Sequence, residues 1–167
     1  MELWDIYDKD KKRTGRTMEK NRFELAEGEY HLTVLGVIMR PDKTFLITKR
    51  VMTKAWAPGW WEVSGGAAQA GEDSKDAVAR EILEETGLDV TNARGGYLFS
   101  YERVNPEERD NYFVDIYRYE MDITDADVKL QEEETDGYMF ATVEEIKEFA
   151  KQGIFLHYDS IKQAFEV

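Results

Sequence analysis

The run from Tyr30 to Met39 constrains the fold of this chain more than any other stretch. Its side chains are β-branched or apolar at both odd and even positions, whereas a strand with one solvated face alternates apolar and polar residues. Strands with this pattern are buried on both faces, because other layers of structure pack against each side of their sheet. We therefore expect a central strand whose sheet is covered on both faces.

Turn residues and hydrophobic periodicity divide the rest of the chain into short strands and helices. The best helix covers residues 73–86, where Asp73 can cap the N-terminus and Gly87 takes the position at which many helices end. A capping box at Thr142–Glu145 opens a second helix that ends before Gly153. A last short helix is predicted at Ser160–Phe165, and further strands at Phe45–Val51, Glu62–Ser64, Gly96–Val104, Tyr112–Met121 and Tyr138–Ala141. This order predicts an α/β or α+β fold with a mixed sheet.

The first 28 residues are polar and are expected to pack on the rest of the chain as a separate element. Segments Leu3–Tyr7 and Thr17–Phe23, separated by Thr14-Gly15, predict a β-hairpin or an extended arm. The main domain then covers residues 29–167, which is an ordinary size for one domain.

Charge and composition exclude several classes of protein. The 35 acidic and 22 basic side chains give a formal net charge of −13. That charge opposes binding to a long nucleic acid, since such binding depends on lysine and arginine at the phosphates. The chain has no cysteine, which excludes disulfides, thiolate zinc sites and a cysteine nucleophile. No apolar run is long enough to span a bilayer and no secretion signal is visible, so we expect a cytoplasmic protein without a membrane partner.

Three glutamates on the predicted helix carry the first indication of chemistry. Glu81, Glu84 and Glu85 fall within one arc of about 100° on the helix surface. The opposing, core-facing stripe is predicted to consist of Val78, Ala79, Ile82 and Leu83. Like charges at this spacing repel each other in an isolated helix, but carboxylates can share hard divalent cations. The helix alone does not distinguish such a metal site from a solvated acidic face.

The residues around these glutamates form a longer pattern. Gly65-Gly66 permits close approach of a backbone carbonyl to a ligand, and Arg80 can pair with Glu72 and pin the preceding loop to the helix. The run from Gly66 to Leu88 matches, at every fixed position, the Nudix box G-x5-E-x7-R-E-U-x-E-E-x-G-U, where U is apolar. Over roughly residues 30–150 the chain resembles a Nudix hydrolase.

This resemblance implies a fold, an activity and a set of site residues. The fold would be an α/β/α sandwich with a mixed β-sheet between helices. The activity would be hydrolysis of a phosphoanhydride bond in a small-molecule diphosphate, either nucleoside diphosphate-linked or short prenyl, with Mg²⁺ or Mn²⁺ as cofactor. Glu72 would orient the site, and Arg80 would also belong to the catalytic group. The metal ligands by resemblance are the Gly66 carbonyl, Glu81, Glu84 and Glu85.

A further carboxylate is expected from the acidic loop before the last sheet strand, because several family members supply one there. Counting back from the aromatic residue Phe140, Glu134 fits best. The general base is left open between Glu81 and a loop glutamate at 132–134. The same resemblance does not fix the number of metal ions or the phosphorus that is attacked.

Residues that would bind the remainder of the substrate, outside the diphosphate at the metal, are predicted only from being basic or aromatic side chains. Arg50 and Lys49, at the end of a strand, could reach phosphates. The aromatic residues that could stack on a base or pack under an isoprenoid-like tail are Trp56, Trp60, Tyr97, Phe99 and Tyr101. His31 and His157 have no partner pattern, which favours structural roles for both.

The start of the chain adds a second resemblance. Leu3–Asp8, Thr14–Arg16 and Gly28–His31 are similar to the start of Nudix proteins related to isopentenyl-diphosphate isomerase. That isomerase needs a catalytic cysteine and typically has a degenerate box, so isomerase activity by its mechanism is not expected here. Two alternatives to a small-molecule hydrolase are an RNA 5′-end pyrophosphohydrolase, which the net charge opposes, and a non-catalytic ligand sensor, which would be expected to lose box glutamates. A homodimer is left open.

Overall fold

The computed structural model describes all 167 residues and contains nine strands and three α-helices. The strands are β1 (Leu3–Tyr7), β2 (Arg13–Glu19), β3 (His31–Met39), β4 (Phe45–Arg50), β5 (Trp61–Glu62), β6 (Ser64–Ala67), β7 (Arg94–Arg103), β8 (Tyr112–Glu120) and β9 (Thr135–Ala141). The helices are α1 (Ser74–Thr86), α2 (Val143–Lys151) and α3 (Tyr158–Ile161), and short 3₁₀ turns cover Pro106–Glu108, Asp125–Asp127 and Lys162–Phe165. None of these helices combines the length and apolarity needed to cross a membrane.

The main sheet is mixed and is built around β3. On one side β3 pairs in parallel with β8, in a register that places His31 beside Tyr112 and Met39 beside Glu120. On the other side it pairs antiparallel with β6. It meets β4 only at Met39 and Phe45, after which β4 continues with β9 and β5 as antiparallel partners. Strand β7 pairs with β8 and forms the outer edge.

Both faces of β3 are covered, as its pattern predicts. Val34 and Ile38 point into a core shared with α1, whereas Leu35, Val37 and Met39 point into a second core shared with α2 and the C-terminal turns. The mixed sheet therefore lies between helices, and the predicted α/β (α+β) sandwich is confirmed.

Helix α1 follows its predicted boundaries, but its buried face differs from the predicted one. The Asp73 side chain accepts a hydrogen bond from the Asp76 amide at 3.0 Å, and Gly87 ends the helix with a left-handed φ of 76°. Leu83, predicted to face the core, is 52% exposed, and Ala79 is only partly buried. The buried positions are Ala77, Val78, Ile82 and Thr86.

The shift of this buried face has two local causes. Gly36 on β3 has no side chain, so Val78 and Ile82 approach the strand closely there. Thr86 can be fully buried because its hydroxyl donates to the Ile82 carbonyl at 2.6 Å. The helix is therefore rotated so that its buried face moves toward the glutamates and away from Leu83.

The N-terminal segment is a β-hairpin of β1 and β2, and its turn lies earlier than Thr14-Gly15. Residues 8–12 make the turn because the Asp8 carboxylate accepts from the amides of Asp10 and Lys12 at 2.9 and 3.0 Å. Strand β2 therefore begins at Arg13 and ends at Glu19, short of the predicted end at Phe23. Trp4, Ile6, Met18 and Leu25 form a small core beneath the hairpin, packed against Ala67.

Two C-terminal elements also differ from their predicted bounds. Strand β9 begins at Thr135 rather than Tyr138, because β4 pairs with it back to Arg50. The last helix begins at Tyr158 and continues as a 3₁₀ turn from Lys162. The longer β9 places Glu134 directly before a strand, which fixes its backbone next to β4.

Candidate active site

A cleft of about 650 Å³ opens where the N-terminal hairpin, helix α1 and the segment before β9 meet. Its first wall is formed by the end of β6 and by α1, and its second by the segment before β9. The first wall consists of Gly65, Gly66, Ala67, Arg80, Glu81, Glu84 and Glu85, and the second of Gln131 and Glu134. The cleft therefore brings the three box glutamates and the loop glutamate together.

Arg80 connects the loop before α1 with the glutamates of the helix. Its Nε and Nη2 donate to the two carboxylate oxygens of Glu72 at 2.7 and 2.9 Å, a bidentate geometry. Its Nη1 donates to Glu81 at 3.0 Å and to Glu84 at 3.3 Å. Burial alone would raise the pKa of Glu72, but hydrogen bonds from Arg80 and from the Gln69 amide outweigh it and lower that pKa. The Arg80 guanidinium thus holds Glu72, Glu81 and Glu84 in fixed positions relative to one another.

Glu81 lies tightly against the backbone of β6. A Cβ atom added to Gly66 would lie 2.6 Å from Glu81 Oε1, so only glycine leaves room for this carboxylate. Burial raises the pKa of Glu81 to about 7, even though the charge and hydrogen bond of Arg80 act in the opposite direction. The carboxylate therefore sits in a place where its negative charge is incompletely compensated.

Glu85 is the most deeply placed of the three helix carboxylates. Burial raises its pKa well above the usual value, and the charges of Glu81 and Glu62 add to that increase. The Gly65 amide donates to Glu85 Oε2 at 3.3 Å, which offsets only part of the cost of burial. Buried, mutually repelling carboxylates of this kind are typical of sites that bind a cation or exchange protons.

The donor chemistry of this wall fits a hard divalent cation. Carboxylate oxygens and a backbone carbonyl are the ligands that such ions prefer, and a cation would relieve the repulsion between Glu81 and Glu85. In the protein alone no three acidic or histidine side chains converge as a ready-made metal cluster. Glu81 and Glu84 are turned toward Arg80 instead, and its guanidinium supplies the positive charge that they face.

Glu134 enters the cleft from the opposite wall and is held by the segment after β4. Its carboxylate forms an ion pair with Lys54, and its carbonyl accepts from the Val51 amide at 3.1 Å. Its neighbours Glu132 and Glu133 are exposed and do not line the cleft. Lys54 was not singled out from the sequence, because nothing in its local pattern links it to a glutamate so far along the chain.

The far end of the cleft combines aromatic rings with polar side chains. Trp4 of the hairpin stacks on His31 with ring centroids 4.3 Å apart, and Tyr112 lies next to His31 at 5.2 Å. His31 Nε2 hydrogen-bonds Asp110 at 2.9 Å, whereas its buried Nδ1 has no partner. Trp56 and Tyr101, two of the aromatic residues predicted to contact substrate, also line the cleft, as does His157. Sequence patterns did not predict the roles of Trp4, His31 and Tyr112, because the β3–β8 pairing and the hairpin bring them together from distant segments.

Three other residues predicted from the sequence to contact substrate, Arg50, Trp60 and Tyr97, lie outside this cleft. Arg50 forms an ion pair with Glu62 at 3.2 Å. Trp60 lines a smaller neighbouring pocket. Tyr97 is 56% exposed on β7, and its hydroxyl hydrogen-bonds Ser100. The structure brings Glu72, Arg80 and the four glutamates together with Gly66, but not these three residues.

Comparison with known proteins agrees with this geometry. The profile of the NUDIX domain matches residues 29–162. An uncharacterized Nudix hydrolase of Listeria monocytogenes is 32% identical over 170 residues, covering 100% of this chain and 95% of the relative. Isopentenyl-diphosphate Delta-isomerase of Escherichia coli is 32% identical over 92 residues, covering 54% of this chain and 50% of the enzyme.

The fold as a whole also has a counterpart among solved structures. A crystal structure of a Deinococcus radiodurans protein superimposes with a TM-score of 0.78 at 19% identity, covering 99% of this chain and 100% of that one. The likeness therefore includes the N-terminal hairpin region as well as the sheet and its helices.

Proposed function

Because this chain belongs to the Nudix family and is a Nudix diphosphohydrolase, we propose that it cleaves a phosphoanhydride bond in a small-molecule diphosphate with Mg²⁺ or Mn²⁺ bound. The observation that carries this proposal is the cleft lined by Glu81, Glu84 and Glu85 on one wall and by Glu134 on the other. These carboxylates, and the net charge of −13, repel an anionic substrate, and a bound cation would offset that repulsion at the site.

We assign the cation to the box side of the cleft. The Gly66 carbonyl, Glu81, Glu84 and Glu85 would hold it, and when bound it would neutralise the diphosphate and lower the pKa of the attacking water. Arg80 keeps Glu81 and Glu84 in place through its Nη1 contacts, and Glu72 keeps Arg80 in place. Their role is to hold the ligands in one geometry while charge develops on the phosphoryl oxygens.

Glu134 is our choice for the residue that accepts the proton of the attacking water, with Glu81 as the alternative. Water oxygen forms the new bond to phosphorus, the bridging anhydride oxygen leaves with the bonding electron pair, and the water proton passes to the carboxylate. Glu134 is favoured because it reaches the cleft from the wall opposite the helix, so it is not needed as a box ligand. Its ion pair with Lys54 holds it at the cleft before substrate binds.

The far end of the cleft favours a nucleoside diphosphate derivative over a short prenyl diphosphate as the substrate. A prenyl chain needs a continuous apolar surface, but this end of the cleft mixes rings with charged and amide side chains. These polar residues are Glu2, Lys20, Asn21, His31 and Asp110. A planar heterocycle with polar edges satisfies both the rings and these groups.

A substrate panel tests the proposal. Nucleoside diphosphate sugars, dinucleoside polyphosphates, nucleoside triphosphates, prenyl diphosphates and 5′-triphosphorylated RNA are incubated with enzyme and Mg²⁺, and the phosphorylated products are separated and quantified by anion-exchange chromatography. Glu85→Gln serves as the matched inactive control. We expect Mg²⁺-dependent turnover of nucleotide substrates that EDTA abolishes. Faster turnover of prenyl diphosphates or of RNA would refute the substrate class, and no metal-dependent turnover of any compound would refute the proposed activity.

A further inference from the structure

We propose that Asp5 and Arg13 of the N-terminal hairpin are positioning residues for the catalytic carboxylates, acting through Glu72 and Arg80. The inference rests on the proposed function, since it assigns these residues to the same site. Neither Asp5 nor Arg13 lines the cleft, so their effect must pass through the loop that precedes α1.

The hairpin holds three consecutive residues of that loop. The Ala70 amide donates to the Leu3 carbonyl at 2.7 Å, and the Gly71 amide donates to Asp5 Oδ2 at 2.8 Å. Arg13 Nη2 donates to the Glu72 carbonyl at 2.6 Å. Arg13 Nε also donates to Asp5 Oδ2 at 3.1 Å, which joins the two hairpin side chains to each other. Together these contacts form a clamp on residues 70–72.

The clamp continues without a gap to the glutamates. The backbone of Glu72 is held by Arg13, while its side chain holds Arg80 through two hydrogen bonds. Arg80 in turn donates to Glu81 and Glu84. A shift of the Glu72 backbone therefore moves the guanidinium to which two proposed metal ligands are bonded. Charge-assisted bonds of this geometry transmit such a shift better than a flexible contact does.

Apart from Arg80, which holds the Glu72 side chain, little else restrains this loop from outside. Gly71 and Asp73 are exposed, and Gly71 has a left-handed φ of 87° with nothing within 4 Å of an added Cβ. The hairpin is by contrast anchored, because Trp4 and Ile6 are buried in its small core, which packs against Ala67 before the loop. The hairpin is thus fixed by its own core, whereas the position of the loop depends on its contacts with the hairpin.

The size of the expected effect follows from the distance to the reacting centre. Loss of residues that orient metal ligands typically costs 10- to 100-fold in metal affinity or activity. Asp5 and Arg13 act through two further residues, so we expect the lower end, about tenfold in kcat. KM should change by less than about twofold, because neither side chain contacts the substrate cleft.

The experiment uses the full chain with four substitutions. Asp5→Ala and Arg13→Gln break the clamp, Asp5→Asn keeps an acceptor for the Gly71 amide, and Arg16→Gln is the matched control. Arg16 lies on the same hairpin and loses the same charge, but it pairs with Glu29 rather than with the loop. The readouts are kcat and KM on the best substrate of the panel, Mn²⁺ affinity by calorimetry without substrate, and hydrogen exchange of the Gly71 amide.

We expect Asp5→Ala and Arg13→Gln to lower kcat about tenfold and to weaken Mn²⁺ binding, and Asp5→Ala to speed exchange at Gly71. Asp5→Asn should recover most of the loss, and Arg16→Gln should behave like the wild type. Unchanged Mn²⁺ affinity, or an equal loss in Arg16→Gln, would overturn the positioning role. A wild-type protein inactive on the whole panel, with weaker Mn²⁺ binding in the clamp variants, would instead refute only the proposed function.

Discussion

The packing of α1 against β3 at Gly36 predicts the effect of a single added methyl group. In Gly36→Ala the new Cβ would lie 2.6 Å from Ile82 Cδ1 and 2.9 Å from Val78 Cγ2. Favourable contacts between carbon atoms lie at about 3.5–4.0 Å, so both side chains must move by close to an ångström. Val78 and Ile82 are both fully buried, so they cannot move aside into solvent. Overpacking of this kind costs about 1–3 kcal/mol.

We therefore expect Gly36→Ala to lower the free energy of unfolding by about 2 kcal/mol, which corresponds to about 4–8 °C in Tm for a chain of this size. Urea denaturation followed by circular dichroism measures it. Gly137→Ala is the control, because the nearest atom to a Cβ on that β9 residue lies 3.9 Å away. The displaced helix carries the glutamates that we propose to be catalytic, so kcat should fall in Gly36→Ala and stay unchanged in Gly137→Ala.

A second substitution tests the cause directly. Ile82→Val removes the Cδ1 atom that makes the shortest contact and by itself costs about 0.5–1.5 kcal/mol. In the double variant Gly36→Ala/Ile82→Val the added methyl takes part of the vacated space. Its destabilisation should be smaller than the sum of the two single effects by about 1 kcal/mol. Additivity within about 0.5 kcal/mol, or a Gly36→Ala protein as stable as Gly137→Ala, would refute the reasoning.

Three further substitutions address the site. Glu85→Gln should cut kcat at least about a hundredfold without lowering Tm, because it removes a buried, repelled charge; wild-type turnover at saturating Mg²⁺ contradicts this. Arg80→Ala should lower both Tm and kcat, since it leaves Glu81 less compensated; an unchanged melt and rate would argue against the assignment. Glu134→Gln should lower kcat more than it raises KM, whereas the exposed Glu132→Gln should be nearly silent. Equal, small effects of both would assign that loop to the surface.

Helix α1 shows what local sequence determines well. Its start depends on one side chain, Asp73, which bonds an amide three residues on, and its end depends on Gly87, which tolerates a left-handed φ. Both signals lie within a few residues of the boundary that they set, so no tertiary information is needed. The spacing of the glutamates likewise depends only on helical geometry.

The buried face of the same helix shows where local pattern fails. Hydrophobicity alone assigned Leu83 to the core and left Thr86 out of it. The structure does the reverse, because Gly36 on a distant strand sets where the helix comes closest and the Thr86 hydroxyl bonds within the helix. Which apolar residue is buried was decided by the partner surface, and that surface is not visible from the helix sequence.

The contacts at the far end of the cleft could not be predicted from the sequence for a related reason. Trp4, His31 and Tyr112 become neighbours only through the hairpin and the parallel register of β3 with β8. Each of them alone is an ordinary aromatic residue or histidine in a strand-like segment. The ion pair of Lys54 with Glu134 is also non-local. Glu134 itself was predicted only through the family resemblance, by counting back from Phe140, and the structure places it in the cleft.

The parallel pairing of β3 with β8 also sets the order in which this protein can become active during synthesis. Helix α1 can form early from local interactions, and β3 can meet β4 and β6 soon after, but its parallel partner β8 becomes available only after residues 112–120 leave the ribosome. Pairing β3 with β8 closes a long loop, and non-local pairings of this kind form slowly. Until then the far end of the cleft lacks Tyr112, and Glu134 is synthesised later still. A nascent chain therefore carries the helix that we propose to bind the metal well before its cleft is complete, so the proposed activity has to wait until nearly the whole sequence is made.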